Sequence, residues 1–170
     1  MKPHWPKALL ALPMLLLLTL NTACSEEDDF IQILIGKTWK MSRLTTKGSS
    51  TQFAMEWDTE EEQETSLSYV SVSSYYTITF SGAEIDGELV GNDVRIRGVD
   101  CTATGTWTAD GNTYAMSFDL SLSGSESDPL AAQFINGIQN VYSYSGDDNN
   151  LNLYFKDDDG TTYVIGFTPR

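Results

Sequence analysis

The chain holds one histidine, His4, and two cysteines, Cys24 and Cys101, so few side chains are equipped for acid–base or nucleophilic chemistry. Serine and cysteine triads need an imidazole base, and most zinc centres draw on histidine. His4 sits in a leader expected to be removed, which leaves the remainder without either option. Cys101 alternates with Ala103 and Trp107 and follows Asp100. Reactive thiols need electropositive surroundings, so Cys101 is expected to be an inert buried thiol. Carboxylates are abundant, and a suitably spaced pair could cleave glycosidic bonds. They fall in runs and turns, however, and no pair stands out. Asp157-Asp158-Asp159-Gly160 has the acids and glycine of a calcium loop but not its alternating oxygen ligands or closing Glu. A hairpin turn is expected there, and likewise at Asp147-Asp148-Asn149-Asn150. The sequence therefore predicts no catalytic residue, no metal site, no cofactor and no enzyme.

Aromatic side chains are the remaining lead. Phe53, Met55 and Trp57 alternate within a polar stretch and could cap a barrel mouth. Tyr76, Tyr114 and Tyr163 could project inward with polar tips, and tyrosine offers an apolar body with a hydrogen-bonding end. Small-molecule sites combine apolar walls with a few polar handles. Phe53, Trp57, Tyr76, Tyr114 and Tyr163 are thus the candidate ligand-binding residues. An outward set, Tyr75, Tyr142 and Tyr144, could stack on sugars or meet a partner protein. The competing reading makes all of these ordinary core and rim residues.

The elements that would position them begin with an export segment. Lys2 and Lys7 precede an apolar run from Ala8 to Leu20. That run is shorter than the ~20 residues a membrane-spanning helix needs and ends in small polar residues, as a secretory signal does. Leu20-Asn21-Thr22-Ala23-Cys24 resembles a bacterial lipobox. Residues 1–23 are read as the lipoprotein signal peptide, with Cys24 accepting a diacylglyceryl group as a thioether. Residues 24–29 form an acidic tether whose Ser25-Glu26-Glu27-Asp28-Asp29 resembles the export signal of surface lipoproteins in the Bacteroidetes. An outer-membrane lipoprotein, displayed on the cell surface, is the expected location. Membrane contact would come through the lipid alone. Removing the leader leaves eight Lys and Arg against 24 Asp and Glu. A surface so anionic repels phosphate backbones, which argues against nucleic acid as a partner.

Residues 30–170 form the expected domain. Phe30 to Ile35 allows one or two helical turns, and Lys37 to Leu44 reads as the first strand. Thr45 to Ser66 is polar and acidic and is expected to be a long connection. Beyond it, apolar residues recur with a period of two: Tyr76, Ile78 and Phe80, then Val94 and Ile96, then Cys101 to Trp107. Asp110-Gly111 predicts a hairpin into Tyr114, Met116, Phe118, Leu120 and Leu122. Asp128 and Pro129 open one short helix with Leu130, Phe134 and Ile138 as its apolar stripe. Strands resume from Val141 to Phe167. Such alternation means antiparallel strands with one dry face. About eight of them suit an up-and-down barrel, with a sandwich as the alternative.

Leu34-Ile35-Gly36-Lys37-Thr38-Trp39-Lys40-Met41, after a helical lead and before a meander of strands, looks like the opening of lipocalin-like domains. The chain is similar to the small lipocalin-like surface lipoproteins of unknown function in the Bacteroidetes. That resemblance implies an all-β, lipocalin-like barrel and no particular ligand. The expected function is a lipid-anchored envelope module that binds a small ligand or an envelope protein. A structural or accessory subunit with a filled barrel is the alternative, and a carboxylate-dependent hydrolase the distant third.

Overall fold

The computed structural model describes residues 31–85 and 88–170. The signal segment, Cys24 and the acidic tether lie outside these residues. Among the described residues ten strands are seen: β1 (Thr38–Thr46), β2 (Thr77–Phe80), β3 (Ala83–Ile85), β4 (Glu88–Val90), β5 (Asp93–Arg97), β6 (Thr102–Asp110), β7 (Ala115–Ser123), β8 (Val141–Gly146), β9 (Leu151–Lys156) and β10 (Thr162–Pro169). Two helices join them, α1 (Glu60–Val70) and α2 (Pro129–Gln139), and a helical turn covers 31–34.

Eight strands close into an antiparallel barrel in the order β1-β10-β9-β8-β7-β6-β5-β2, and β3 with β4 makes a separate hairpin. Closure leaves no long edge open to another chain. Most neighbours share at least three partnered residues, from three between β1 and β2 to nine between β6 and β7. The junction of β7 with β8 has one pair, Ala115 with Ser143, supplemented by Tyr144 N–H donating to the Tyr114 carbonyl at 3.0 Å.

Eight strands leave an interior just wide enough for side chains, and here it is full. At one end the turn at 31–34 drives Leu34 inward, and the Trp39 indole donates to the Leu34 carbonyl at 3.1 Å. Near the same end Trp107 donates to the Ser81 carbonyl at 3.0 Å and meets Phe80 edge to face. Both buried indoles thus have the acceptor that burial demands. At the other end α2 seals the wall. Leu130, Phe134, Ile135 and Ile138 are buried, and Phe134 packs on Tyr76 and Phe167 at 5.5 and 6.2 Å between ring centres. Gly137 does more than weaken this helix: a Cβ there would lie 2.7 Å from the Phe155 ring. Only a glycine lets α2 approach so closely.

The structure departs from simple alternation in two kinds of place. Residues 60–70, expected to be loop and the start of a strand, form α1. Register slips by one residue between Met41 and Arg43 and between Val141 and Ser143. Each bulge shifts the facing of later side chains. Leu44 therefore joins Met41 inside, and Tyr144, expected to face outward, is 2% exposed. Tyr142 remains exposed and Tyr75 is half-buried, so these three tyrosines form no common patch.

Candidate functional site

The long segment after β1 is held by backbone bonds. β2 covers only Thr38 to Lys40 of β1, which would leave the rest of that edge unpaired. The chain turns back to fill it. Leu44 N–H donates to the Gln52 carbonyl at 2.9 Å, Ala54 N–H donates to the Leu44 carbonyl at 3.0 Å, and Phe53 makes a parallel bridge to Leu44. This fixes Phe53 at the end of the barrel that α2 closes, and Met55 and Trp57 follow it there.

α1 begins beside them. Thr59 accepts from Glu62 N–H at 3.1 Å, and the Glu62 carboxylate accepts from Asp58 N–H at 3.0 Å. These satisfy two free amides at the helix start, and Glu60, Glu61 and Glu62 suit its positive end.

An open cleft of about 830 Å³ results, within the range of small-molecule sites. Phe53, Met55, Glu56 and Trp57 line it from the returning segment, Gln63 from α1, Gln133 from α2, Asp159 from the β9–β10 turn and Tyr163 from β10. Tyr163 stacks on Phe155 at 5.3 Å with 17° between the planes. Burial, then the charges of Asp157 and Asp159, push its phenol above the usual range, and Glu56 adds to the effect. The Thr161 hydroxyl beside Asp159 holds that carboxyl below the usual range, so it stays ionised. The Gln133 Oε1 is buried with no hydrogen-bond partner.

Three of the five predicted ligand residues, Phe53, Trp57 and Tyr163, therefore share one cleft. Tyr76 and Tyr114 do not join them. Both adopt left-handed backbone, φ 50 and 57; Tyr76 still points inward with Ile78 and Phe80, whereas Tyr114 leaves the inward face expected of it. Tyr114 is 51% exposed on the β6–β7 turn at the opposite end. Tyr76 is wholly buried, and its hydroxyl donates to Asp128 Oδ1 at 3.1 Å.

Asp128 is a junction. Its Oδ1 also accepts from Ala131 N–H at 2.8 Å, capping α2, and its Oδ2 accepts from the Ser66 hydroxyl of α1 at 2.5 Å. Burial, followed by the Asp128 charge, keeps the Tyr76 phenol protonated far above its ordinary range. Asp128 also borders a smaller cleft of about 360 Å³ with Glu61, Glu62 and Asp100. With three donors on it, this carboxylate is committed to joining α1, α2 and the approach to β2. Glu126 is similarly engaged, accepting at 2.9 Å from the amides of Val99, Asp100 and Cys101.

The Cys101 thiol is buried, and burial followed by the Glu126 charge pushes it up. Among the described residues no three of His, Cys, Asp and Glu are grouped to hold a metal ion, and no helix is long and apolar enough to cross a membrane. Asp157 Oδ1 and Asp159 Oδ1 both accept from Thr161 N–H, at 2.8 and 2.9 Å, in the β9–β10 turn.

The polar lining of the large cleft, Glu56, Gln63, Gln133 and Asp159, escaped sequence reasoning. One signal was available. Thr59-Glu60-Glu61-Glu62 has the S/T-x-x-E spacing of a helix start, which would have placed Gln63 on a helix.

Residues 25–169 match the family described as "Domain of unknown function (DUF4847)". The fold is similar to the crystal structure of a DUF4847 family protein from Bacteroides vulgatus ATCC 8482. The likeness has 20% identity and a TM-score of 0.57, over 82% of this chain and 96% of that one. No curated protein matches the sequence.

Proposed function

The chain belongs to the DUF4847 family, and from that premise we propose a non-enzymatic, lipid-anchored module of the cell envelope that binds a small ligand in the Trp57 cleft. One observation carries the reading: Phe53, Trp57 and Tyr163, up to 110 positions apart, converge on a single cleft whose returning segment is pinned at Phe53 by backbone pairing. The committed carboxylate of Asp128 and the buried thiol of Cys101 support a binding role over catalysis.

Lipidation of Cys24, sorting by Ser25 to Asp29 and display on the outer membrane rest on the sequence of the leader. The helical turn leading into buried Trp39 supports the lipocalin-like kinship. Orientation fits as well. Ile31 enters at the barrel end opposite the cleft, and seven residues span at most about 25 Å. An anchor at Cys24 would hold that far end near the bilayer and leave the cleft facing outward.

Native mass spectrometry of the protein purified from its own host tests the reading. A bound small molecule is expected on the wild type and absent from Trp57→Ala. The packed barrel interior favours a second reading, an accessory subunit. A stoichiometric protein partner without any small ligand would select it and displace the first.

A further inference from the structure

Resting on the cleft reading above, we propose that the Trp57 cleft selects organic cations with N–H donors, primary ammonium or guanidinium groups, over neutral and anionic ligands. The lining carries negative charge and no positive charge. Glu56 and Asp159 bring two carboxylates from separate elements to the same cleft, and the charges of both act on the Tyr163 phenol. No Lys or Arg lines the cleft. Two lysines belonging to this end of the barrel are engaged elsewhere: Lys47 lies over the Tyr154 ring at 5.4 Å and Lys156 over Tyr142 at 5.8 Å.

Aromatic faces beside carboxylates suit a cation, which is drawn to the ring quadrupole as well as to the charges. An anion meets repulsion from both acids. A neutral polyol gains nothing from them beyond hydrogen bonds. Gln133 adds the requirement for a donor. Its Oε1 is buried without a partner, and an unmatched buried acceptor is costly. Turning that amide toward a bound N–H breaks no hydrogen bond at the oxygen and supplies the missing one. A quaternary ammonium carries the charge but cannot make this bond.

Three probes with one ring separate the possibilities: benzylammonium, benzyltrimethylammonium and benzyl alcohol. Binding to the full-length chain is read from the Trp57 indole N–H resonance, with the buried, hydrogen-bonded indoles of Trp39 and Trp107 as internal references. Benzylammonium is expected to bind about fivefold or more tighter than benzyl alcohol, with a preference that shrinks as salt is added. Combining Glu56→Gln with Asp159→Asn should erase that preference. Gln133→Met should bring benzylammonium down to the level of benzyltrimethylammonium. Equal binding of the alcohol and the ammonium would overturn the charge selection and leave the cleft reading standing. Equal binding of the two cations to the wild type would overturn the donor requirement. If no probe moves the Trp57 resonance at millimolar concentration, the selectivity and the cleft reading both fall.

Discussion

Replacing Asp128 with alanine should be among the most damaging single changes in the barrel. The carboxylate caps α2 through Ala131 N–H and receives the hydroxyls of Ser66 and Tyr76. Loss of an N-cap costs about 1 kcal/mol. The two hydroxyls would remain in surroundings where Ser66 and Tyr76 are wholly shielded from solvent. Each buried donor left without an acceptor costs about 1–3 kcal/mol. The total is about 3–7 kcal/mol, a large share of the ~5–15 kcal/mol that holds a domain together. Urea unfolding followed by the fluorescence of buried Trp39 and Trp107 measures it, and the midpoint should fall without a change of slope. A double-mutant cycle isolates the cause. In a Ser66→Ala/Tyr76→Phe background no donors are stranded, so Asp128→Ala should cost only the cap, about 1 kcal/mol. Equal losses in both backgrounds would refute the junction.

Other consequences are as open to measurement. Gly137→Ala places a methyl 2.7 Å from Phe155 Cε1 and 3.0 Å from Ile165 Cδ1. Overpacking of about 1–3 kcal/mol should outweigh the gain of about 1 kcal/mol in helix propensity, and a raised melting temperature would contradict this. The Lys40 amine, held by the carbonyls of Val72 and Tyr75, is lowered to about 8 by burial and then by the Arg170 charge. NMR of isotope-labelled dimethyl-lysine should give a midpoint near pH 8. The folded state sheds this proton before the unfolded one, so stability relative to Lys40→Met should climb between pH 8 and 10.5. A midpoint near 10.5 would remove the effect. Cys24→Ser should abolish labelling by a palmitate analogue, and persistent labelling would defeat the anchor proposal. Neutral replacements across Ser25 to Asp29 should shield the protein from external protease; unchanged cleavage on intact cells would dismiss a sorting role.

The barrel was legible in the sequence wherever one residue in two had to be dry. Trp39 with Met41, Ile78 with Phe80, Val94 with Ile96, and Ala103 with Trp107 are buried as that period requires. It failed where one extra residue entered a strand, as before Leu44 and Tyr144, because a bulge leaves no mark in composition. It failed again at α1, whose only fully buried residue is Ser66; its apolar residues Leu67, Tyr69 and Val70 bunch at the C-terminal end and are only partly buried, so no stripe runs along the helix to betray it. Three cleft aromatics were visible because a polar stretch has no other evident use for Phe53 and Trp57. Gln133 was not, since its meaning depends on a partner missing only in three dimensions. Tyr114 misled because left-handed backbone turns its side chain out to solvent; Tyr76 does point inward, but its hydroxyl is taken by Asp128 in the packed core, away from the cleft.

The short junction of β7 with β8, one ladder pair and the Tyr144–Tyr114 backbone bond, makes the ring a clasped band rather than a seamless hoop. Breathing of the wall should start at that clasp, where least has to be broken, and α2 is the bar that keeps it shut. Deuterium should therefore reach the amide of Ser143 well before those shared by β6 and β7. Any enlargement of the lumen would proceed by lifting α2 outward, with no need to unzip the longer ladders on the other side.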